Sequence, residues 1–274
     1  MVARAACAIE QTPGMRACVR PDYSRESTMR AIEATATNSS SDAAPPSAAP
    51  MRWLGALLIA EGLLALAPVF ILGPAIGWPA SLDNPAVEQL TAISAAPSAV
   101  IGGYGVYLLY SVLIAPTMIA LAACVRGGLA SPLGATVAAF AALSALARAI
   151  GILRWLTVMP MLAAAHAAAD PAQRAQIELL FGALTTYGGG IGEVLGVSLF
   201  MALALGTLCV GALFKGGLPK WITASGCAVA ATLALLSLPV FGGPDIMPAA
   251  VAVSLLSVWM IAVGVRSLRV ASIR

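Results

Sequence analysis

The feature that most limits the fold is a series of long apolar stretches, which follow one another from residue 51 nearly to the C-terminus. A helix needs about 20 predominantly apolar residues to cross the hydrocarbon core of a bilayer. Open strands are excluded there because their backbone groups would lack partners, and a β-barrel would show alternating rather than continuous apolar runs. Only 10% of the residues are charged, too few to cover a water-soluble surface. We therefore predict an all-α, polytopic transmembrane helix bundle.

Six apolar stretches have the length of a span or more, and short polar connections separate most of them. The fourth is longer than one span requires, and three consecutive glycines at 188–190 leave open whether it is one helix or two. Two longer connections, 78–98 and 160–176, are predicted to lie on the outer side. The first, rich in proline, is expected to be irregular, and the second to contain a short interfacial helix. The six candidates run from Arg52 to about Gly77, from about Ala99 to Val125, from about Leu133 to Met159, from near Gln176 to about Phe214, from Lys220 to about Phe241, and from about Met247 to Val265.

Residues 1–50 differ in composition from the rest. They are rich in Arg, Ser, Ala and Pro and contain no apolar period long enough for a stable element. We predict a disordered cytoplasmic tail over 1–50 and a six-helix transmembrane domain over 51–274. A further hypothesis is that translation starts at Met29 or Met51, since Met51 opens the first apolar stretch directly. An intact mass that includes residues 1–50 would contradict it.

Lysine and arginine are distributed unequally between the connections. The tail, the second-to-third connection, the fourth-to-fifth connection and the C-terminus carry nearly all of them, whereas the other connections carry mainly Asp and Glu. The positive-inside rule then places both termini in the cytoplasm, which requires an even number of spans. The expected location is the plasma (inner) membrane. Four tryptophans are predicted to anchor the helices at the interfaces: Trp53, Trp78, Trp155 and Trp221.

Several functional classes find no support in the sequence. No arrangement of Ser, His and Asp, of Cys and His, or of paired carboxylates indicates catalysis, so we expect no enzyme activity, no cofactor and no metal. The one histidine, His166, is expected to be a solvated residue of the outer loop. A net charge of +3 without a dense basic patch gives no reason to expect nucleic acid. The predicted partner is the lipid bilayer, while a protein partner or small ligand remains unassigned.

Four ionisable residues, Glu61, Arg148, Arg154 and Glu193, lie inside the apolar stretches. A charge at mid-bilayer costs about 2.5–3.5 kcal/mol on insertion scales, so ion pairing inside the bundle is expected. At about 1.5 Å per residue, Arg154 and Glu193 reach similar heights on the third and fourth spans, and we predict a pair between them. Glu61 lies near the midplane, with Arg148 closest in height. Such pairs either fix the helix register or form a polar cavity for an ion or small polar ligand.

Two further patterns lie on the predicted spans. Gly188, Gly192 and Gly196 recur every four residues, so they share one helix face and are candidate packing glycines for a neighbouring helix. The alternative is a locally unwound helix that exposes its backbone to a ligand. Tyr104, Tyr107 and Ser111 recur at i, i+3 and i+7 and form a candidate polar seam on the second span, either for interhelical hydrogen bonds or for ligand contact.

Three short motifs resemble a family of bacterial six-span membrane proteins of the domain-of-unknown-function type. They are Arg148-Ala149-Ile150-Gly151-Ile152-Leu153, Gly192-Glu193-Val194-Leu195-Gly196 and Leu218-Pro219-Lys220-Trp221, the last followed by an apolar span. The resemblance covers residues 52–268. It implies six helices and a plasma-membrane location, and it carries no established activity, so no catalytic residue is transferred.

Two functional hypotheses follow from the sequence. The first is a non-enzymatic membrane protein with a scaffold or regulatory role, suggested by the missing catalytic constellation. The alternative is a carrier for a small molecule or ion that uses the intramembrane Arg/Glu cluster. A carrier should have a wet cavity that reaches Glu193, whereas a scaffold should bury that residue in a dry, paired contact.

Overall fold

The computed structural model describes residues 48–125 and 127–273, and every regular element in these ranges is helical. The prediction of an all-α transmembrane helix bundle is confirmed. The predicted tail, apart from its last three residues, lies outside the described residues, as does Arg126 of one positively charged connection. The α-helices are α1 (Ala48–Leu64), α2 (Ala67–Ile76), α3 (Ala86–Ala95), α4 (Pro97–Ala123), α5 (Pro132–Leu156), α6 (Val158–Ala168), α7 (Pro171–Gly189), α8 (Met201–Lys215), α9 (Lys220–Leu235) and α10 (Ala249–Ile273).

Five helical segments are long and apolar enough to cross a membrane. The sixth apolar helix, α9, has 16 residues and ends in a 3-10 turn at Leu238–Phe241. At about 1.5 Å per residue α9 alone spans roughly 24 Å, less than the hydrocarbon core of about 30 Å. Whether α9 also crosses the membrane, as the fifth of six spans, therefore stays a prediction. The five long segments are Met51–Ile76, Pro97–Ala123, Pro132–Ala168, Pro171–Lys215 and Ala249–Ser272.

Prolines begin helices in the outer connections and do not leave those connections irregular. The stretch 78–98 contains a 3-10 turn at Ala80–Asp83 and the helix α3, so the prediction of an irregular segment is wrong. Pro85 caps α3 and Pro97 is the first residue of α4, positions where a missing N–H costs nothing. The Gln89 amide donates to the carbonyls of Leu82 (3.1 Å) and Asn84 (2.8 Å), which fixes the turn against α3.

The second outer connection also differs from its prediction. It contains the end of α6, the helix expected there, but His166 on α6 is buried and lies 2.8 Å from the Glu178 carboxylate. His166 is therefore not the solvated loop residue that was expected. The next helix, α7, starts with a capping box in which the Asp170 side chain accepts from the Gln173 backbone N–H.

The fourth apolar segment is one continuous helix of 45 residues. It changes from α-helix to an 11-residue π-helix at Gly190–Phe200 and returns to α-helix in α8. The glycines at 188–190 thus widen the helix and do not divide it. Most π-helices are single-turn bulges and often mark functional sites, so a run of this length is unusual.

Backbones approach closely where glycines face each other. A Cβ added to Gly264 on α10 would lie 2.8 Å from the carbonyl oxygen of Gly55 on α1, so the first and last helices pack backbone to backbone. Around them, an apolar core joins α1, α4, α5, α8, α9 and α10, with fully buried Leu58, Met118 and Met201 among its members. A second apolar cluster joins α2 and α3 to the outer parts of α4, α5, α6 and α7.

Candidate functional site

The π-helix lies against α5 through the predicted packing glycines. A Cβ on Gly151 would lie 2.6 Å from the Gly192 Cα, and one on Gly196 would lie 2.8 Å from the backbone nitrogen of Arg148. The buried Ser144 hydroxyl donates to the Gly196 carbonyl at 2.7 Å and fixes this contact. The structure therefore places Gly188, Gly192 and Gly196 on one face, which packs against α5.

The Arg154 side chain lies across Gly188. An added Cβ on Gly188 would collide with the guanidinium and with Cδ of Arg154, so a larger residue there would force the arginine side chain to move. The guanidinium also stands 5.5 Å from the ring centre of Trp155, which stacks on Tyr104 at 4.8 Å. Trp155 is 4% exposed, so its predicted role as an interface anchor is wrong. Nε and Nη1 of Arg154 are buried and have no hydrogen-bond partner.

The predicted ion pair between Arg154 and Glu193 is not formed. The one ion pair within the described ranges joins His166 and Glu178. The register explains the difference: Arg154 stands opposite Gly188, whereas Gly192 stands opposite Gly151, so Glu193 lies about one turn from Arg154 toward the Lys215 end of the helix. Because Gly192 occupies the face toward α5, Glu193 also points in another direction. Its side chain is exposed, and Arg154 and Asp83 are the nearby charges that act on it.

Glu61 and Arg148 form an inner polar group in the bundle. Both are essentially inaccessible, at 0% and 1% exposure, and the charge of Arg148 is the one that acts on Glu61. Neither carboxylate oxygen of Glu61 has a hydrogen-bond partner, and Nε and Nη2 of Arg148 also lack one. Arg148 is held by a 3.0 Å hydrogen bond from Nη1 to the Tyr110 hydroxyl and lies 5.4 Å from the ring centre.

The polar seam of α4 connects the inner group with the outer residues. Tyr107 stacks on Tyr110 at 6.0 Å and lies within electrostatic range of both Arg148 and Glu193. The hydroxyls of Tyr104 and Ser111 are buried without a partner. Tyr110, which holds Arg148, was missed by the sequence reasoning, although its spacing of three from Tyr107 continues the same seam. The structure thus brings the predicted seam and the predicted charges into one region. We call Glu61, Arg148, Arg154, Glu193 and the α4 residues Tyr104, Tyr107, Tyr110 and Ser111 the polar cluster.

Neither of two surface pockets in the described part of the chain is lined by Glu61, Arg148 or Glu193. The first, a cavity of about 40 Å³, lies between the outer segment around α3 and Trp155. The second lies on the outer face of α10, between residues 250 and 258. Within residues 48–125 and 127–273, no three His, Cys, Asp or Glu side chains come together as metal ligands.

A comparison with protein families gives one match, the domain of unknown function DUF4386, over residues 53–264. The chain belongs to this family. The match confirms the resemblance to a domain-of-unknown-function family that the motifs around Arg148, Glu193 and Pro219 indicated. The DUF4386 region contains the whole polar cluster and leaves out the N-terminal 52 residues. Neither the curated proteins nor the solved structures include a significant match to this DUF4386 chain.

Proposed function

We propose that this protein is a membrane carrier that moves an ion or a small polar solute by way of the polar cluster. The observation that carries the proposal is the state of Glu61 and Arg148, which are buried in the bundle with most of their polar atoms unpartnered. Each such group in hydrocarbon costs several kcal/mol, and intramembrane charges commonly mark ion and substrate pathways.

The packing argues against a purely structural role for these charges. A buried pair can fix helix register, but its attraction offsets the cost of desolvation only where the geometry is excellent and further hydrogen bonds satisfy the remaining polar groups. Here glycine contacts between α5 and the π-helix and the bond from Ser144 to Gly196 set the register, while Arg154 and Glu193 remain apart. The charges are therefore free to serve another purpose, and binding a transported species is one that needs unpaired groups. The wet cavity that a carrier needs at Glu193 would have to open when the helices move, since the two pockets described above do not reach that residue.

The topology we propose has six spans, with α9 as the fifth, in the plasma (inner) membrane with both termini in the cytoplasm. It is supported by the distribution of charge. Lys215 and Lys220 flank one short connection, and Arg266 and Arg269 follow the last apolar stretch. The acidic connections lie at the opposite ends of the same helices. Glu193 and Asp83 would then face the outer side.

A scaffold or regulatory role without catalysis is the second candidate. It is favoured by the tight contact of α5 with the π-helix and by the pockets of the described residues, which lie away from the polar cluster. A packed bundle of this kind is a suitable platform for a partner protein in the membrane.

Ion flux into proteoliposomes distinguishes the two candidates. Vesicles with the purified protein are given gradients of H⁺, Na⁺, K⁺ or Cl⁻ in turn, and trapped fluorescent indicators report uptake. The carrier proposal expects flux above protein-free vesicles for at least one ion, with at least a tenfold loss in Glu193→Gln. The matched control is Glu88→Gln, the same change at an exposed acid outside the polar cluster, and it should retain flux. The carrier proposal would be wrong if wild-type flux equalled that of protein-free vesicles, or if Glu193→Gln left the flux unchanged.

A further inference from the structure

The surroundings of Glu61 restrict what it can bind. Both carboxylate oxygens have less than 1 Å² of accessible surface and no hydrogen-bond donor within reach. A metal ion needs several oxygen ligands at 2–2.6 Å, and a water molecule needs both space and two or more polar partners. No polar atom of the described residues lies within hydrogen-bond distance of either oxygen, so this carboxyl has no second ligand to share with a metal ion and no partner to share with a water. A proton is the one ligand that occupies no volume and that also removes the charge.

We infer that Glu61 is a proton-binding site in the middle of the membrane, and that the proton is the species coupled to the activity of the polar cluster. This inference rests on the proposed carrier function. An ionised carboxylate without partners in an apolar interior is strongly unfavourable, whereas the neutral acid loses only modest hydrogen bonding. Binding forms one O–H bond at the carboxylate and breaks one in a hydronium ion at the aqueous end of the route, which leaves a neutral water there, and no other reactant is needed.

The groups that face Glu61 are few. The part of α10 against α1 between residues 249 and 265 contains no titratable residue, and α2 contains none. A Cβ on the neighbouring Gly62 would lie 2.8 Å from the Ser257 carbonyl of α10, so that turn closes one side. α5 contributes Arg148, the one charge from the described residues that acts on Glu61, and the Arg148 guanidinium is hydrogen-bonded to Tyr110 of α4.

A polar route leads from Glu61 toward the exposed acid Glu193. Arg148 bonds to Tyr110, Tyr110 stacks on Tyr107, and Tyr107 lies in the field of both Arg148 and Glu193. The unpartnered hydroxyls of Tyr104 and Ser111 border the same route and can hold water when the helices separate. In this arrangement Arg148 gains a direct counter-ion only when Glu61 loses its proton. Protonation of Glu61 would therefore remove the negative charge on which Arg148 acts.

Infrared difference spectroscopy of the full-length protein in lipid nanodiscs tests the inference without any transport measurement. A protonated carboxylic acid in an apolar site has a distinct C=O stretching band, which shifts in D₂O. The wild-type protein should show such a band at neutral pH and lose it at alkaline pH. Glu61→Gln should abolish the band, Glu61→Asp should shift its frequency, and Glu88→Gln and Glu193→Gln should retain it.

Superimposable pH-difference spectra of wild type and Glu61→Gln would overturn the inference. If Glu61→Gln does not fold, Glu61→Asp provides the test. A C=O band at an unchanged frequency in Glu61→Asp would also overturn the inference. The two proposals fail in different ways. If the band depends on Glu61 but the protein shows no ion flux, the carrier proposal is wrong and the proton-binding site stands. If another ion is transported but no band depends on Glu61, the carrier proposal stands and the inference of a proton-binding site is wrong.

Discussion

Adding one methyl group at Gly151 tests whether α5 and the π-helix touch backbone to backbone as the structure has them. The new Cβ would lie 2.6 Å from the Gly192 Cα, whereas two carbon atoms are at their optimum about 3.5–4.0 Å apart. The overlap is thus about 1 Å, and the obstacle is main chain that cannot rotate away. Overpacking of this kind typically costs 1–3 kcal/mol.

The matched control is Gly105→Ala on α4. An added Cβ there has no atom within 4 Å, so it enters open space. Both substitutions gain roughly 1 kcal/mol of intrinsic helix propensity, so this contribution cancels when the two variants are compared. We expect Gly151→Ala to be less stable than Gly105→Ala by about 1–3 kcal/mol.

The assay is reversible unfolding of the detergent-solubilised protein by SDS, followed by tryptophan fluorescence, since Trp155 lies in the same region of α5. The free energy of unfolding of Gly151→Ala should fall below that of both wild type and Gly105→Ala. If Gly151→Ala and Gly105→Ala unfold at the same SDS fraction, the two backbones are not in contact, and the register derived for α5 and the π-helix is wrong.

Three other predictions concern single contacts and the topology. Ser144→Ala should lower the free energy of unfolding by about 0.5–1.5 kcal/mol through loss of the buried bond to Gly196. Ser225→Ala should change it little, because the half-buried Ser225 hydroxyl bonds only to carbonyls of its own helix. Glu178→Gln should speed hydrogen exchange in α6 by up to about fivefold by weakening the bond to His166, with no further effect when His166→Ala is already present. Reporter fusions should place the N- and C-termini in the cytoplasm and the connection between the first two spans outside; termini on opposite faces would contradict the six-span topology.

The apolar stretches predicted the helices well because hydrocarbon imposes one simple requirement. Spans need about 20 apolar residues with internally paired backbones, and the helical segments Met51–Ile76 and Pro97–Ala123 begin and end within about two residues of the expected positions. The last segment, Ala249–Ser272, begins as expected but extends about seven residues beyond the predicted end at Val265. The four-residue spacing of the glycines likewise predicted a shared face, because this periodicity belongs to any helix. These features depend on short-range rules that one sequence contains.

The predictions that were wrong concern features that tertiary contacts determine. The pair between Arg154 and Glu193 was predicted from helix heights counted at one rise per residue. The π-helix changes both rise and rotation, and only the packed structure contains it. His166 and Trp155 are buried because α7 packs against α6 and α5. No local sequence pattern predicts this packing. In the outer connection, prolines were interpreted as breakers, although they begin α4 and cap α3.

On the carrier proposal, Glu61 and Arg148 serve the movement of an ion and are not needed for folding. The double variant Glu61→Gln/Arg148→Met tests it most directly when unfolding by SDS and proton uptake by proteoliposomes are measured on the same preparation. Replacing buried charges by neutral groups of similar size is often neutral or stabilising, and Met keeps the apolar stem that packs on Gly196. We predict a free energy of unfolding at least equal to that of wild type together with abolished uptake. A variant that is several kcal/mol less stable, or that takes up protons at the wild-type rate, would contradict the claim.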